Sequence, residues 1–423
     1  MMIQAIFCKS NKELAHISTI KTLVNKHLTT LIVMNRILSI LLFLLISATS
    51  FAQLGITDAL KQIEANNPTI KALQAQTDNV KASLRSNNTP PNPSIEGGRF
   101  PAANGTEVKY AWGVSQSFEF PTVYSLRNQL AKASDILADA SYNAARQDEL
   151  VNAQITIIEL IHAKVVLREV QNRESFAQKM LQIIEKKVGA GNATSLDINK
   201  AKLKLVEEAQ NVKHYEAKVN LLKSKLLMLN GGNQLPIAEG VLLNQPLEHK
   251  DTILSRFKQN DPRYASLEQT VEVAMQNKRL VKHQGLPNLN IGYQSEQTNA
   301  EHFSGFKAGI SIPLWGNSGA RRAATVNLST VQTQEHSQRL MLEMEFEEYY
   351  LETLSLKLQL GELQEALKGF NNLHLLQKAL EAGQVSTIEF FNEVTFLYDI
   401  TDKVLALELD YAKSHAMLHK FEL

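Results

Sequence analysis

The sequence predicts a mainly α-helical chain with a small β part, built from long coiled-coil-like helices and an internal tandem duplication. Three observations carry this prediction. The first is where helix breakers fall: all eleven prolines lie between Pro68 and Pro313, and 122–188, 192–230, 320–360 and 384–423 contain neither proline nor glycine. Helices of that length exceed the globular mean of about 11–12 residues several-fold. At 1.5 Å per residue, about 65 residues extend roughly 100 Å, a rod and not a compact domain. The second is a seven-residue spacing, in the line Ile198, Leu205, Val212, Val219 and Leu226, with Ala201, Tyr215, Leu222 and Leu229 three residues on. Phe390, Leu397, Val404, Tyr411 and Leu418 form a matching line near the C-terminus. A sustained seven-residue repeat keeps one apolar seam against a neighbour only if the helices supercoil.

The third observation is that landmarks recur in order. Asn67-Pro68 returns as Asp261-Pro262, and Pro91-Asn92-Pro93-Ser94-Ile95 as Pro287-Asn288-Leu289-Asn290-Ile291. Gly113–Phe118 returns as Gly309–Leu314, and Gly191–Asp197 as Gly383–Glu389. The period is far longer than that of solenoid repeats. The organisation expected is an upstream extension at 1–33, a signal peptide at 34–52 and a first repeat at 53–232. That repeat has a helix, a β-hairpin at 92–120, a long helix at 122–188 and a helix at 194–230. A linker at 233–250 leads to a second repeat at 251–423, with a helix, a hairpin at 288–314, a long helix at 319–382 and a helix at 386–422.

The signal peptide reads from Met34 through Asn35-Arg36 and the apolar run Ile37–Ile46, with small residues at Ser50 and Ala52 placing cleavage before Gln53. The apolar run is too short to span a bilayer as a helix. No later run reads as a transmembrane helix, and the single cysteine, Cys8, precedes the cleavage point. That excludes a disulfide framework and a lipid-bearing N-terminal cysteine. An exported chain of this kind is soluble or enters a membrane as β-strands. With 44 Lys and Arg against 43 Asp and Glu, it has no electrostatic footprint for nucleic acid.

Each half has two segments of strand character. Val108, Tyr110, Trp112, Val114, Phe118 and Phe120 alternate with small and polar residues, as do Phe306, Ala308, Ile310, Ile312 and Leu314. Ser94–Phe100 and the run through Leu289, Ile291 and Tyr293 are their partners. This alternation fits transmembrane barrel strands, with Tyr110, Trp112, Phe118, Ile310 and Ile312 facing lipid. Four strands cannot close a barrel, and an open edge in lipid leaves backbone groups unpaired. Three chains related by cyclic symmetry would supply twelve strands.

The turns joining long and short rods place Gly191 or Gly383 after one helix. Thr194 with Asp197, or Ser386 with Glu389, then stands at capping-box spacing before the next. The bland reading is two well-capped helical hairpins; the functional one is that six such turns per trimer make a tip where a partner docks. No phosphate loop, dinucleotide fingerprint, HExxH or GxSxG is present, so nothing supports catalysis or a cofactor. His415 and His419, at i, i+4, are the one weak metal candidate; a solvated terminal turn is the ordinary reading.

Together these features resemble the TolC-like outer-membrane efflux family. Gln116-Ser117-Phe118-Glu119-Phe120-Pro121 followed by Arg127, and Ile310-Ser311-Ile312-Pro313-Leu314-Trp315-Gly316, are similar to its heavy-metal (CzcC/CusC) branch. The resemblance implies a homotrimer in the outer membrane, with a shared twelve-stranded β-barrel continuing into a periplasmic α-helical tunnel. It implies a passive channel, and no enzyme, working with a periplasmic adaptor and an inner-membrane pump of the RND type, heavy-metal cations being one possible cargo. Adaptor docking falls on the turns at Gly191, Thr194, Asp197, Gly383 and Ser386. Aligned on Gly383, the family's tunnel constriction falls on Glu389 and Asn392. Its tip-latching Tyr and Arg fall on Leu380 and Val385, so that latch is missing. The rival reading is a periplasmic adaptor or coiled-coil scaffold that bridges the membranes without conducting. Such a chain would have one helical hairpin between β-rich halves, where this sequence has two.

Overall fold

The computed structural model describes residues 55–86, 88–103, 105, 107–237, 246–313, 317–368 and 373–423. The expected extension, signal peptide and cleavage point, part of the linker, and Leu314, Trp315 and Gly316 lie outside the described residues.

Two short helices open the described chain, α1 (Ile56–Asn66) and α2 (Pro68–Ser86), followed by β1 (Ser94–Pro101) and β2 (Val108–Phe118). The rods α3 (Pro121–Gly189) and α4 (Ser195–Leu229) come next. The same order then runs again: α5 (Lys250–Asn260), α6 (Pro262–His283), β3 (Asn288–Gln297), β4 (His302–Ser311) and α7 (Ser318–Lys368). A short helix α8 (Leu373–Glu381), α9 (Thr387–Leu418) and a 3-10 turn at Lys420–Glu422 close the chain. The long helix expected at 319–382 is therefore described as two helices, with 369–372 between them outside the described residues.

Proline sets the break between each pair of short helices. The residue before a proline is pushed out of the α region, and Asn67 and Asp261 sit at ψ 122° and 118°. Each then caps the helix that follows: Asn67 Oδ1 accepts from the N–H groups of Thr69 at 2.7 Å and Ile70 at 3.1 Å, and Asp261 Oδ1 from that of Arg263 at 2.9 Å.

Two equivalent cores follow from this layout. Ala59, Leu60 and Ile63 of α1 pack on Ala153, Ile157 and Leu160 of α3 and on Leu222 and Leu226 of α4. Ile253 and Phe257 of α5 pack on Leu342 and Phe346 of α7, with Leu418 and Phe421. By length and composition α3 contains a stretch apolar enough to cross a membrane, but more than half of that stretch is buried within the protein. Its apolarity serves the core.

The seven-residue lines hold with local departures. Val212, Val219, Leu222 and Leu226 are buried, whereas Ile198 and Leu205 are only half-buried. In α9 the buried residues include Phe390, Val394 and Tyr398, then Val404, Tyr411 and Leu418, so Tyr398 takes the place expected for Leu397.

The four strands form one antiparallel sheet in the order β1-β2-β3-β4. Its register sorts most side chains by chemistry, the exceptions including Gln116, and Arg99, Gln297 and His302 on the apolar face and Phe100 and Phe303 on the polar one toward the hairpin turns. Ile95 lies opposite Val114, Val114 opposite Tyr293, and Tyr293 opposite Phe306; Phe118 lies opposite Leu289, and Leu289 opposite Ile310. These residues share one face, and Trp112 joins them through its ring, 5.7 Å from that of Tyr293. Glu96, Lys109, Ser115, Gln294, Glu296 and Lys307 share the other face. Ile312 and Phe120 lie past the strand ends, so the alternation is shorter than expected there.

Candidate functional site

The two hairpin tips are built alike from sequence upward. At the first, Gly191 takes φ +76°, a left-handed conformation that costs glycine little, and so closes α3. Asn192 N–H donates to the Lys187 carbonyl at 2.8 Å and Gly191 N–H to that of Val188 at 3.0 Å. Gly383, at φ +72°, repeats this closure, with Gln384 N–H on the Ala379 carbonyl at 2.9 Å. Both capping boxes are formed. Asp197 N–H donates to Thr194 Oγ1 at 3.3 Å, and Thr194 N–H donates back to Asp197 Oδ2 at 2.9 Å. Glu389 N–H donates to Ser386 Oγ at 3.2 Å, and Ser386 N–H to Glu389 Oε2 at 2.9 Å. These bonds from Ser386 hold the Glu389 carboxyl below its usual range, and those from Thr194 do the same for Asp197. Glu389 and Asn392 are both exposed on the first turns of α9.

Behind the second tip lies an apolar plug. Leu380 and Phe390 are fully buried with Met180 and Val394, and Val385 packs against them. The two latch positions are thus filled by core side chains.

Below the plug a charged layer joins the two hairpins, and sequence reasoning did not find it. Arg173 of α3 is 5% exposed; it bonds Asp402 of α9 at 2.7 Å and Glu169 at 2.9 Å, and lies 4.3 Å from the Tyr398 ring centre. Lys204 bonds Glu208 at 2.9 Å, and Glu208 is buried in the seam of α4. The signal was present in the spacing. Position 208 is the gap in the line through Ala201, Tyr215, Leu222 and Leu229, and Arg173 interrupts the buried α3 series Val166, Val170, Ala177 and Met180. Burial pushes the Tyr398 hydroxyl pKa up, with the Glu208 carboxylate adding to it.

The histidine pair is arranged differently from expectation. The His415 and His419 rings stack with centroids 4.1 Å apart and planes 18° apart. Stacked rings aim their nitrogen lone pairs side by side and not at one point, and His419 Nδ1 already pairs with the His415 carbonyl at 3.0 Å. No cluster of three or more metal-ligating side chains occurs among the described residues. The terminal turn is not a solvated one either. Leu418 and Phe421 are buried, and burial, reinforced by His419, pushes His415 down to about 4.

On the sheet, the polar face carries a connected set. Lys109 Nζ lies 2.5 Å from Glu296, Gln294 donates to Glu296 at 2.8 Å, and Lys307 bonds Gln294. Gly292 sits on this face where a Cβ would meet the Val114 carbonyl at 2.8 Å, so the strands close up only with glycine there. Tyr110, Trp112 and Ile310 on the other face are more than half exposed, while Phe118 is half-buried. The outer edges of β1 and β4 have no strand partner among the described residues.

The same combination of rods, paired capped tips and a small two-faced sheet recurs in solved structures of low sequence identity. The CusC structure, reported for conformational changes accompanying folding and transmembrane channel formation, matches with a TM-score of 0.69 and 15% identity, over 88% of this chain and 93% of its own. VceC, an outer membrane protein of Vibrio cholerae, matches with a TM-score of 0.71 and 13% identity, over 86% of this chain and 95% of its own. The CmeC outer membrane channel of Campylobacter jejuni matches with a TM-score of 0.69 and 15% identity, over 86% and 85%. No family model and no curated protein matches the sequence. The shared property is the fold.

Proposed function

We propose that this chain is an outer-membrane channel of a tripartite efflux system, assembled as a homotrimer and conducting its cargo passively. The observation that supports it best is the sheet: four strands, one mainly apolar face, one mainly polar and charged face, and two edges unpaired among the described residues. In lipid every backbone group needs a partner, so an open sheet must close with copies of itself. Pairing β4 of one copy with β1 of the next is a head-to-tail contact that closes at twelve strands under three-fold symmetry. The apolar face then meets lipid through Tyr110, Trp112 and Ile310, with Phe118 and Ile312 near its helix-side margin. The face with Lys109, Glu296 and Lys307 lines the lumen.

The helices support the same closure. Exposed apolar residues collect on α4, at Leu196, Leu203, Leu221 and Met228, and on α7, at Leu340, Met344, Leu351 and Leu358. These surfaces suit helix packing between copies, and twelve long helices would enclose a periplasmic tunnel. The repeated element order is our ground for a tandem duplication. In this reading the tips at Gly191, Thr194, Asp197, Gly383 and Ser386 dock a periplasmic adaptor coupled to an inner-membrane pump of the RND type. Glu389 and Asn392 form the constriction, and heavy-metal cations are one cargo class. Export by a signal peptide cleaved after Ala52 brings the chain to the membrane.

Outer-membrane fractionation of the expressed full chain and native mass spectrometry in mild detergent test this. The expected result is a detergent-dependent membrane protein of three copies that dissociates on heating. A carbonate-extractable protein, or a stable monomer, rejects the shared barrel.

A further inference from the structure

The chain as a whole is nearly neutral, yet charge is unevenly placed along the rods. Moving away from the sheet, the first acid met on α2, α3, α6 and α7 is Asp78, Asp135, Glu272 and Glu335. Before those positions the four helices carry Lys81, Arg85, Arg127, Lys132, Lys278, Arg279, Lys282, Arg321 and Arg322, and no acid. The exposed stripe of α6 changes sign along its length, from Glu268 to Arg279 and Lys282 as it nears β3. At the opposite end of the sheet, the hairpin turns carry Glu107 and Glu301.

Part of this collar is neutralised within the chain. Lys81 pairs with Asp139 at 2.5 Å, Arg85 with Asp135 at 3.1 Å and Arg127 with Glu119 at 2.7 Å. In contrast, Arg279, Lys282, Arg321 and Arg322 are exposed and form no ion pair among the described residues. The two helix ends that carry them touch, since Asn317, just before α7, donates to the Val281 carbonyl of α6 at 2.8 Å. Neighbouring copies in a symmetric ring meet at the same level, where the acid-free segments face one another. Glu119, Asp135 and Asp139 are already engaged in ion pairs, and Asp78 and Glu272, a few turns along α2 and α6, bond only Gln74 and Gln276 of their own helices. The four cations are thus left open to anions from outside the protein.

The position of the collar says which anions. It begins where the apolar face of the sheet ends, at Phe118, Leu289 and Ile310. Long cationic side chains at that boundary set their stems against hydrocarbon and their heads among phosphates. Resting on the channel reading above, we propose that Arg279, Lys282, Arg321 and Arg322 hold the phosphodiester headgroups of anionic phospholipid in the periplasmic leaflet. This fixes the depth and rotation of the barrel in the membrane.

The test uses the full chain reconstituted into bilayers of equal phosphatidylglycerol and phosphatidylcholine, with retained lipid counted by native mass spectrometry. A cation near a charged surface contributes about fivefold in partitioning, so four of them, partly screened, should enrich phosphatidylglycerol by roughly tenfold or more. Arg279→Gln, Lys282→Gln, Arg321→Gln and Arg322→Gln together should abolish the enrichment, and Arg321→Gln with Arg322→Gln alone should reduce it by about half on a logarithmic scale. Lys186→Gln, Lys202→Gln, Lys213→Gln and Lys223→Gln, an equal loss of charge on the rods, should leave it intact. Equal retention of both lipids, or unchanged enrichment in the four-site variant, overturns the proposal. So does displacement of the lipid by millimolar inorganic phosphate, which would mark a free-anion site. Altered ion selectivity with unaltered lipid retention would place the cations in the lumen and also overturn it. A chain that inserts as a trimer but shows no preference rejects only the lipid site. One that does not insert rejects the channel reading as well.

Discussion

At the hairpin tips every helix end is closed by its own chain, whereas at the sheet the backbone of β1 and β4 ends in unpaired edges. The tips use short-range devices: a left-handed glycine, a Ser or Thr cap and a returning carboxylate, all within seven residues. The sheet uses long-range ones, since β2 and β3 are separated by two full rods in sequence yet pair over nine residue pairs. Local closure makes the tip a finished structure that a partner can meet without refolding it. An open edge makes the sheet an unfinished one, which the proposed trimer would complete with copies of the same chain. Stability at the tip should therefore belong to the monomer, and stability at the sheet to the assembly.

The largest expected effect sharpens the tip side of this contrast. Phe390 is fully buried between Met180, Leu380 and Val394 and stacks near Phe176. Phe390→Ala should cost about 3–5 kcal/mol locally, through lost burial and the cavity left behind. Hydrogen exchange should show faster opening of the α8–α9 turn, with trimer dissociation in detergent little changed. If the trimer falls apart first, the tip and the sheet are not separable units.

Trp112→Arg probes the other end. It sets a charge on the apolar face, at an expected cost of about 2–4 kcal/mol near the bilayer midplane, seen as reduced outer-membrane assembly. Ser115→Arg, on the charged face, should assemble nearly normally. Equal losses would mean that the two faces do not meet lipid and lumen.

This contrast also explains what could be read from sequence. Gly191, Thr194 and Asp197 were legible because a turn and its caps lie within one short window, where spacing alone fixes geometry. The period-two alternation of β2 was legible for the same reason. Arg173 with Asp402, and Glu208 in its seam, were not. Their partners lie on helices brought together only by folding, and a charge in an apolar line looks like an interruption until its partner is seen. The C-terminal turn was misjudged similarly: nothing near His415 in sequence announces that Phe257 and Phe346 will bury Phe421.

Midway between the two ends, His415 offers an internal pH reference. Its folded pKa, about 4, lies below the usual 6.5, so the unfolded chain takes up the proton first as pH falls. Stability is complete above about 6.5 and declines toward 4, by about 2–3 kcal/mol. Thermal unfolding at pH 7.5 and 4.5 should show this loss, and His415→Gln should reduce it. The effect should track the core around Phe257, Leu418 and Phe421, leaving hydrogen exchange at the tips unchanged.

The smallest stability effect carries the sharpest functional readout. Under three-fold closure Glu389 would place three carboxylates around one axis, and a ring of acids favours cations. Such proximity pushes carboxyl pKa values up and works against full ionisation. The bonds from Ser386 push the other way, holding Glu389 below its usual range through its Oε2. Capping and ring are therefore compatible roles: one oxygen closes the helix end, and the bond that does so keeps the charge available. Glu389→Gln retains a side chain suited to the capping position and removes the charge. Single-channel recordings should then show weaker cation preference and weaker block by multivalent cations, at unchanged trimer stability. Ser386→Ala, by contrast, should cost about 1 kcal/mol at the helix end. It leaves the carboxylate in place but removes the Ser386 hydroxyl's share of its stabilisation, so cation preference should fade at a higher pH than in the natural chain. Unaltered selectivity in Glu389→Gln would leave that residue its capping role alone.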